Sequence, residues 1–505
     1  PMLVAALWWF GMRKILRISK INRITSIADF VASRYGKSQF LGGLVTVIAV
    51  IVIMPYIALQ LKGVSASFDA LSGANSAGAQ AAIHDTALYI AVLMAAFAIL
   101  YGTRHIDATE RHEGMVAAVA FESIVKLVAF LAVGLYVSYV MFDGLGDIFS
   151  RAAARPDIAP RLTSVGAGGY GGWVTLNLLA MAAILFLPRQ FQVSVVENVD
   201  EKHLDKAAWL FPLYLLAINL FVLPIAMAGL LYFPPGTVSG DTFVLALPMA
   251  QGQSALALFA FIGGLSAATA MVIVETIALS TMMCNDLVMP ILLRVRWLRL
   301  TERGELTRLL ILIRRGSIAL IVLMGYLYFH LIGETYALVS IGLLSFAAVA
   351  QFAPAIVGGI YWKGGTRLGA IAALCAGFAV WFYTLLLPSF AQSGWLPMTF
   401  LNEGPFALAW LRPYALFGLE GFDHLSHALF WSMLVNVGLY VGVSLASTQS
   451  AIERIQATRF VEVFQQADAG DRAQLWRGTV PLKDLMALVA RFIGKRRADQ
   501  AFAEY

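Results

Sequence analysis

Long apolar runs, separated by short polar stretches, dominate this chain. About 20 consecutive apolar residues are enough to cross a bilayer as a helix. The sequence predicts ten such runs, at 40–71, 86–101, 115–142, 172–188, 207–232, 254–284, 311–331, 335–361, 367–388 and 426–447. A partial helix at 1–12, "PMLVAALWWFGM", precedes them. After 447 the pattern changes to charged, amphipathic sequence. There Phe460, Phe464, Leu482, Leu485, Leu488 and Phe492 fall at helical spacings. The pattern predicts an all-α polytopic membrane domain over 1–447 and a small cytosolic helical domain over 448–505.

Composition excludes a soluble alternative. Of 505 residues, 60% are hydrophobic and 13% charged, where a soluble domain carries roughly 25% charged residues. The net charge of +6 reflects topology rather than nucleic-acid binding. Loops on one side of the ten runs hold 21 Lys and Arg, and those on the other hold only Arg151, Arg155, Arg161 and Arg412. By the positive-inside rule the basic side, and with it the tail, is cytosolic. Cys284 and Cys375 form neither a disulfide framework nor a metal-ligand spacing. The seven histidines make no metal cluster, and none follows His427. The tail therefore offers no phosphoacceptor histidine, and no enzymatic activity is expected of the chain itself. "GAGGYGGW" at 166–173 lacks the Lys-Ser/Thr of a phosphate loop and reads as an outer loop.

Against this apolar background the ionisable residues stand out. Residues 263–286, "GGLSAATAMVIVETIALSTMMCND", carry Glu275 in their middle. A charge at bilayer centre costs roughly 2.5–3.5 kcal/mol by insertion scales. Glu275 lies about 16 Å along the helix from Asp286, which the topology puts at the cytosolic edge. It reads either as a structural carboxyl or as a substrate or proton site. Glu122 and Lys126 are spaced i, i+4, which suits a salt bridge or a coupling pair. Gln60, Asn177 and Gln351 need hydrogen-bond partners at depth. Pro188 and Pro354 break helices and free backbone groups there.

The order of these features resembles the solute:sodium symporter family. The resemblance is carried by "RITSIADFVASRYG", "MPYIALQL", "TLNLLAMAAILFLPRQFQVSVVEN" and "SIGLLSFAAVAQFAPAIVGGIYWKGGTRLGA". "VAFESIVKLVAFLAVG" and "FLPRQFQVSVVENVDEKHLDKAAWLFPLY" resemble the branch fused to sensor histidine kinases of the CbrA type. The tail's "LWRGTVPLKDLMALVARFIGKRRADQAF" is similar to the STAC linker domain of that branch.

The resemblance implies a LeuT-type inverted-repeat fold of thirteen helices. Runs 40–71 to 335–361 would be core helices three to ten, and the first helix, core helix one and most of core helix two would precede this chain. It also implies a substrate cavity with Tyr56 and Gln60 on core helix three, Gln351 on core helix ten and Phe186 as an aromatic gate, and Glu275, on core helix eight, joins them as the intramembrane carboxyl. Sodium-coupled members carry a Ser/Thr pair on core helix eight. That pair falls here on about Ala270 and Met271, with Thr269 and Thr276 nearby. Neither Ala nor Met offers the hard oxygen ligand a sodium ion takes.

The expected coupling ion is therefore the proton, carried by Glu275 with Glu122 and Lys126, and sodium is the alternative. No other cofactor is expected. The implied function is amino-acid transport, L-histidine being the implied substrate, in a bacterial inner membrane. The lipid bilayer, downstream kinase domains and a response regulator are the implied partners. A non-transporting receptor on the same fold stays open.

Overall fold

A computed structural model describes residues 10–72, 85–102, 113–163, 168–295, 307–333 and 338–465. Described residues are helical or irregular, and none is in a strand. The helices used below are numbered in chain order: α1 (Met12–Asn22), α2 (Ile27–Arg34), α3 (Gln39–Ser72), α4 (Thr86–Gly102), α5 (Glu113–Tyr136), α6 (Gly169–Phe186), α7 (His203–Asn219), α8 (Ser254–Met282), α9 (Thr307–Tyr328), α10 (Leu338–Val349), α11 (Ala353–Tyr361), α12 (Arg367–Trp381), α13 (His424–Ala446) and α14 (Ala451–Val461).

Nine segments among the described residues are long and apolar enough to cross a membrane. They match nine of the ten runs read from the sequence. The tenth, 86–101, is a shorter apolar helix, α4, of 17 residues. The protein is thus an all-α polytopic membrane protein. Residues 1–9 of the expected partial helix, and the Leu482, Leu485, Leu488 and Phe492 stripe of the expected linker domain, lie outside the described residues.

Burial sorts the spans into an inner and an outer set. The apolar window of α3 is 67% buried and that of α10 with α11 is 72% buried, against 17% for α5. The centre is built by α3 packing on α8, α9 and α10. On one flank α5 packs on α8, and on the other α12 and α13 pair. Gly263 lets α8 approach α5 closely. A Cβ there would stand 2.9 Å from the Ala129 Cβ and 3.4 Å from the Lys126 Cα.

Two spans are interrupted. α6 stops at Phe186 because Leu187 is extended (ψ 133), and Pro188 restarts a short helix with its ring at the first turn. α10 tightens into a 3₁₀ turn over Ala350–Phe352, and α11 follows with Pro354 in its first turn. Pro lacks the amide proton that a continuous helix needs at these points.

The first compact unit runs from Pro1 to Val461 and the second from Glu462 to Tyr505. The first therefore reaches past residue 447 and takes in α14. That helix lies on α2 and α11. Phe460 meets Phe30 edge-on at 5.4 Å, and the Lys14 ammonium donates to the Val461 carbonyl at 2.8 Å. Gln449 donates to the Lys363 and Gly365 carbonyls at 2.6 and 2.8 Å.

Candidate functional site

The break after Phe186 opens onto a cavity of about 580 Å³ between α5, α6, α7 and α8. Its walls are mostly apolar, and three charged side chains reach it: Glu122 and Lys126 from α5, and Arg189 from the short helix after the break. Glu122 and Lys126 pair at 3.1 Å along one face of α5, as their i, i+4 spacing predicts. Glu122 also lies within electrostatic reach of Arg189.

Arg189 is the residue that sequence reasoning missed as part of a site. A basic residue directly after Pro188, at the end of an apolar run, reads as a loop charge. The break instead turns it inward. Its guanidinium lies over the Tyr56 ring, 5.3 Å from the centroid, and its Nε is buried without a hydrogen-bond partner.

Glu275 lies immediately behind the cavity wall. Met271 and Val274, on the same helix, line the cavity, and Glu275 itself is 0% exposed. Neither of its carboxyl oxygens has a hydrogen-bond partner. Arg189 is the cation that acts on it, and the Arg189 backbone N–H approaches it without closing a hydrogen bond. A buried polar group without a partner costs roughly 1–3 kcal/mol, and a charged one more. Such a group calls for an explanation other than packing.

The sequence-predicted residues do not form one site. Tyr56 belongs to this one: it is buried, and its hydroxyl donates to the Met271 sulfur at 3.3 Å. Phe186 is buried at the last residue of α6, and the cavity is lined instead by its neighbours Leu187, Arg189 and Gln190. Gln60 faces a separate cavity of about 170 Å³ between α3 and α8. Ser67 links that space to a third, of about 250 Å³, which Lys126 also lines. Lys126 thus stands between the third cavity and the one beside Glu275.

Gln351 is placed elsewhere. The expected substrate contact is instead a fully buried amide in the 3₁₀ turn, donating to Ser432 at 2.9 Å and accepting from Asn436 at 2.9 Å. Both partners are on α13, which the resemblance treats as an addition to the core. Asn177, read as a group needing a partner at depth, donates to the Trp173 carbonyl of its own helix at 2.9 Å.

The α8 hydroxyls are spoken for as donors. Thr269 donates to the Leu265 carbonyl at 2.8 Å and Thr276 to that of Val272 at 2.8 Å. Ala270 and Met271 line the cavity with no oxygen to offer.

Comparison with known proteins agrees with a transporter-like chain. No family model matches it. The chain is 23% identical over 383 residues to the uncharacterized symporter YodF of Bacillus subtilis (strain 168), covering 75% of this chain and 71% of that protein. It is 27% identical over 250 residues to the uncharacterized symporter YhjB of the same organism, covering 49% of this chain and 45% of that protein. A solved structure of a Na⁺-coupled sialic acid symporter, substrate-bound and outward-open, matches 89% of this chain and 86% of its own. Its TM-score is 0.49 at 11% identity. The chain is an all-α membrane protein similar in sequence to symporters.

Proposed function

We propose that this chain is a secondary active transporter for an amino acid, coupled to protons, and that it serves a sensor kinase through the residues after α14. The observation that carries the reading is the cavity at the α6 break, with three charged side chains on its walls and a fully buried carboxyl without a hydrogen-bond partner, Glu275, directly behind them. Intramembrane carboxylates of this kind mark ion and proton pathways. Glu275 carries the proton, and the Glu122–Lys126 pair separates the two cavities that adjoin it. The lack of oxygen ligands at Ala270 and Met271 favours a proton over sodium. L-Histidine is the first substrate to test, on the resemblance alone.

Two features bear on the sensor role. The chain is similar to symporters, and α14 is locked to α2 and α11, the helices beside the α11–α12 turn. Substrate-dependent movement of those helices would displace α14, provided that the two states differ in substrate affinity. The location that follows is a bacterial inner membrane, with the basic ends and α14 on the cytosolic side. Kinase domains and a response regulator are the partners that this reading requires.

The test is uptake of radiolabelled L-histidine into proteoliposomes, with proton and sodium gradients imposed separately. Accumulation driven by the proton gradient alone is expected. Accumulation that requires sodium and ignores pH overturns the coupling assignment. Saturable binding with no uptake under either gradient replaces the transporter with a receptor.

A further inference from the structure

Charge balance at the cavity leaves one cation over. Glu122 and Lys126 are within 3.1 Å and neutralise each other. Arg189 remains, buried at its Nε with no hydrogen-bond partner and resting on the Tyr56 ring. Glu275 is close enough to feel that charge, yet its oxygens accept no hydrogen bond. A guanidinium presents a planar fork that matches a carboxylate with two parallel bonds. Around it the walls are apolar and aromatic, with Leu210, Phe211, Val193 and Phe346 among the lining residues. The volume of about 580 Å³ is in the ordinary range for small-molecule sites.

We propose that Arg189 holds the carboxylate of the transported molecule, and that the ligand class is a carboxylate with an apolar or aromatic body. A guanidinium whose buried Nε has no hydrogen-bond partner, at the edge of an apolar-walled cavity, is the juxtaposition that points to it. An ammonium group on the ligand has Glu122 within the same cavity as its counter-charge. It is a secondary feature, because Glu122 already has Lys126. Selection is therefore for the acid before the amine. The inference rests on transport through this cavity and adds to it the group that reads the substrate.

The same geometry connects ligand to proton. Among the described residues Arg189 acts on Glu275, Tyr56 feels both Glu275 and Glu122, and Glu122 with Lys126 lies farther along the cavity. One guanidinium can balance one carboxylate. The ligand's carboxylate therefore takes Arg189 when Glu275 carries a proton, because among the described residues Arg189 is the cation that acts on Glu275 and an ionised Glu275 would compete for it. Proton and carboxylate then enter together, and each raises the affinity for the other by the same factor.

The experiment is a binding panel on the purified full chain in lipid nanodiscs. The probes are L-histidine, L-proline and L-phenylalanine, each beside its amide, which lacks the carboxylate, and its deamino acid, which lacks the ammonium. At least one acid and its deamino counterpart are expected to bind, with the matching amide roughly 30-fold weaker or more. Arg189→Gln is expected to weaken the acid by a similar factor and to erase the difference from the amide. Arg189→Lys, which keeps the charge and loses the fork, falls between. Amides that bind as tightly as acids overturn the carboxylate assignment on the unaltered protein, whether or not the variants fold. If amides and acids are also taken up alike, transport stands and only this inference falls. If no probe binds, both fall.

Discussion

Tyr35, at the end of α2, and Tyr440, on α13, share a hydroxyl–hydroxyl hydrogen bond of 2.7 Å across 405 positions of sequence. Tyr35 also donates to the Ala355 carbonyl at 2.7 Å, so its single proton is used there and Tyr440 is the donor in the shared bond. Both rings are buried, at 0% and 3% exposure. Removing the Tyr35 hydroxyl strands two groups, and removing that of Tyr440 strands one. Tyr35→Phe should therefore lower the apparent Tm in detergent more than Tyr440→Phe, with costs of about 1–3 and about 1 kcal/mol. The reverse order would show that the bond is not organised this way.

Glu275→Gln keeps the shape of the side chain and removes its ability to exchange a proton. The variant should bind substrate and exchange it across the membrane down a concentration gradient. It should fail to accumulate substrate when only a pH gradient is imposed. Counterflow and gradient-driven uptake, measured side by side in proteoliposomes, check this. Undiminished pH-driven accumulation would remove Glu275 from the mechanism.

The Glu122–Lys126 pair predicts a recovery in a double variant. Lys126→Met leaves a carboxylate on the cavity wall without its ammonium. Because Lys126 retains 22% side-chain exposure, the loss is expected at about 1–3 kcal/mol, below that of a fully buried pair. Glu122→Gln combined with Lys126→Met should restore most of the apparent Tm. A double variant no better than the sum of the singles would mean that the two charges do not depend on each other.

At the far end of α9 a polar cluster predicts acid sensitivity. The Asp85 carboxylate accepts from the Tyr326 hydroxyl at 2.5 Å and meets His330 Nε2 at 2.7 Å. Burial pushes the Asp85 carboxyl up. Hydrogen bonds from Tyr326, His330 and the Leu88 N–H, with the nearby His330 charge, outweigh it and hold the carboxyl below its ordinary 3.8. A group lowered in the folded state contributes stability above its unfolded value and loses it as pH falls through the folded value. The wild-type Tm should thus drop on acidification below about pH 4. Asp85→Asn should start lower and show less of that slope. Parallel acid slopes in the two proteins would rule out Asp85 as the titrating group.

The spans were legible because membrane crossing is a length-and-composition property. Nine of the runs needed no knowledge of their neighbours, and α4 was already the shortest of the ten. Glu275 was legible as a lone carboxyl in an oily stretch. Its surroundings were not, because they come from Arg189 and Tyr56 on other helices. Arg189 was hidden by its position after Pro188, where only the backbone break decides whether the side chain points to a loop or a cavity. Gln351 was assigned to a substrate contact because the resemblance puts it on core helix ten, and the side chain that holds its amide oxygen is far off in sequence. It is Asn436, 85 positions away.

The docking of α14 also decides where this protein can be cut and rejoined. The composition shift at 447 invites a splice there. Such a splice would strip Phe460 from Phe30, the Val461 carbonyl from Lys14 and Gln449 from the α11–α12 turn, leaving an open apolar seat beneath the bundle. A foreign output module joined after Val461 would inherit that seat filled, and with it whatever push the bundle can deliver.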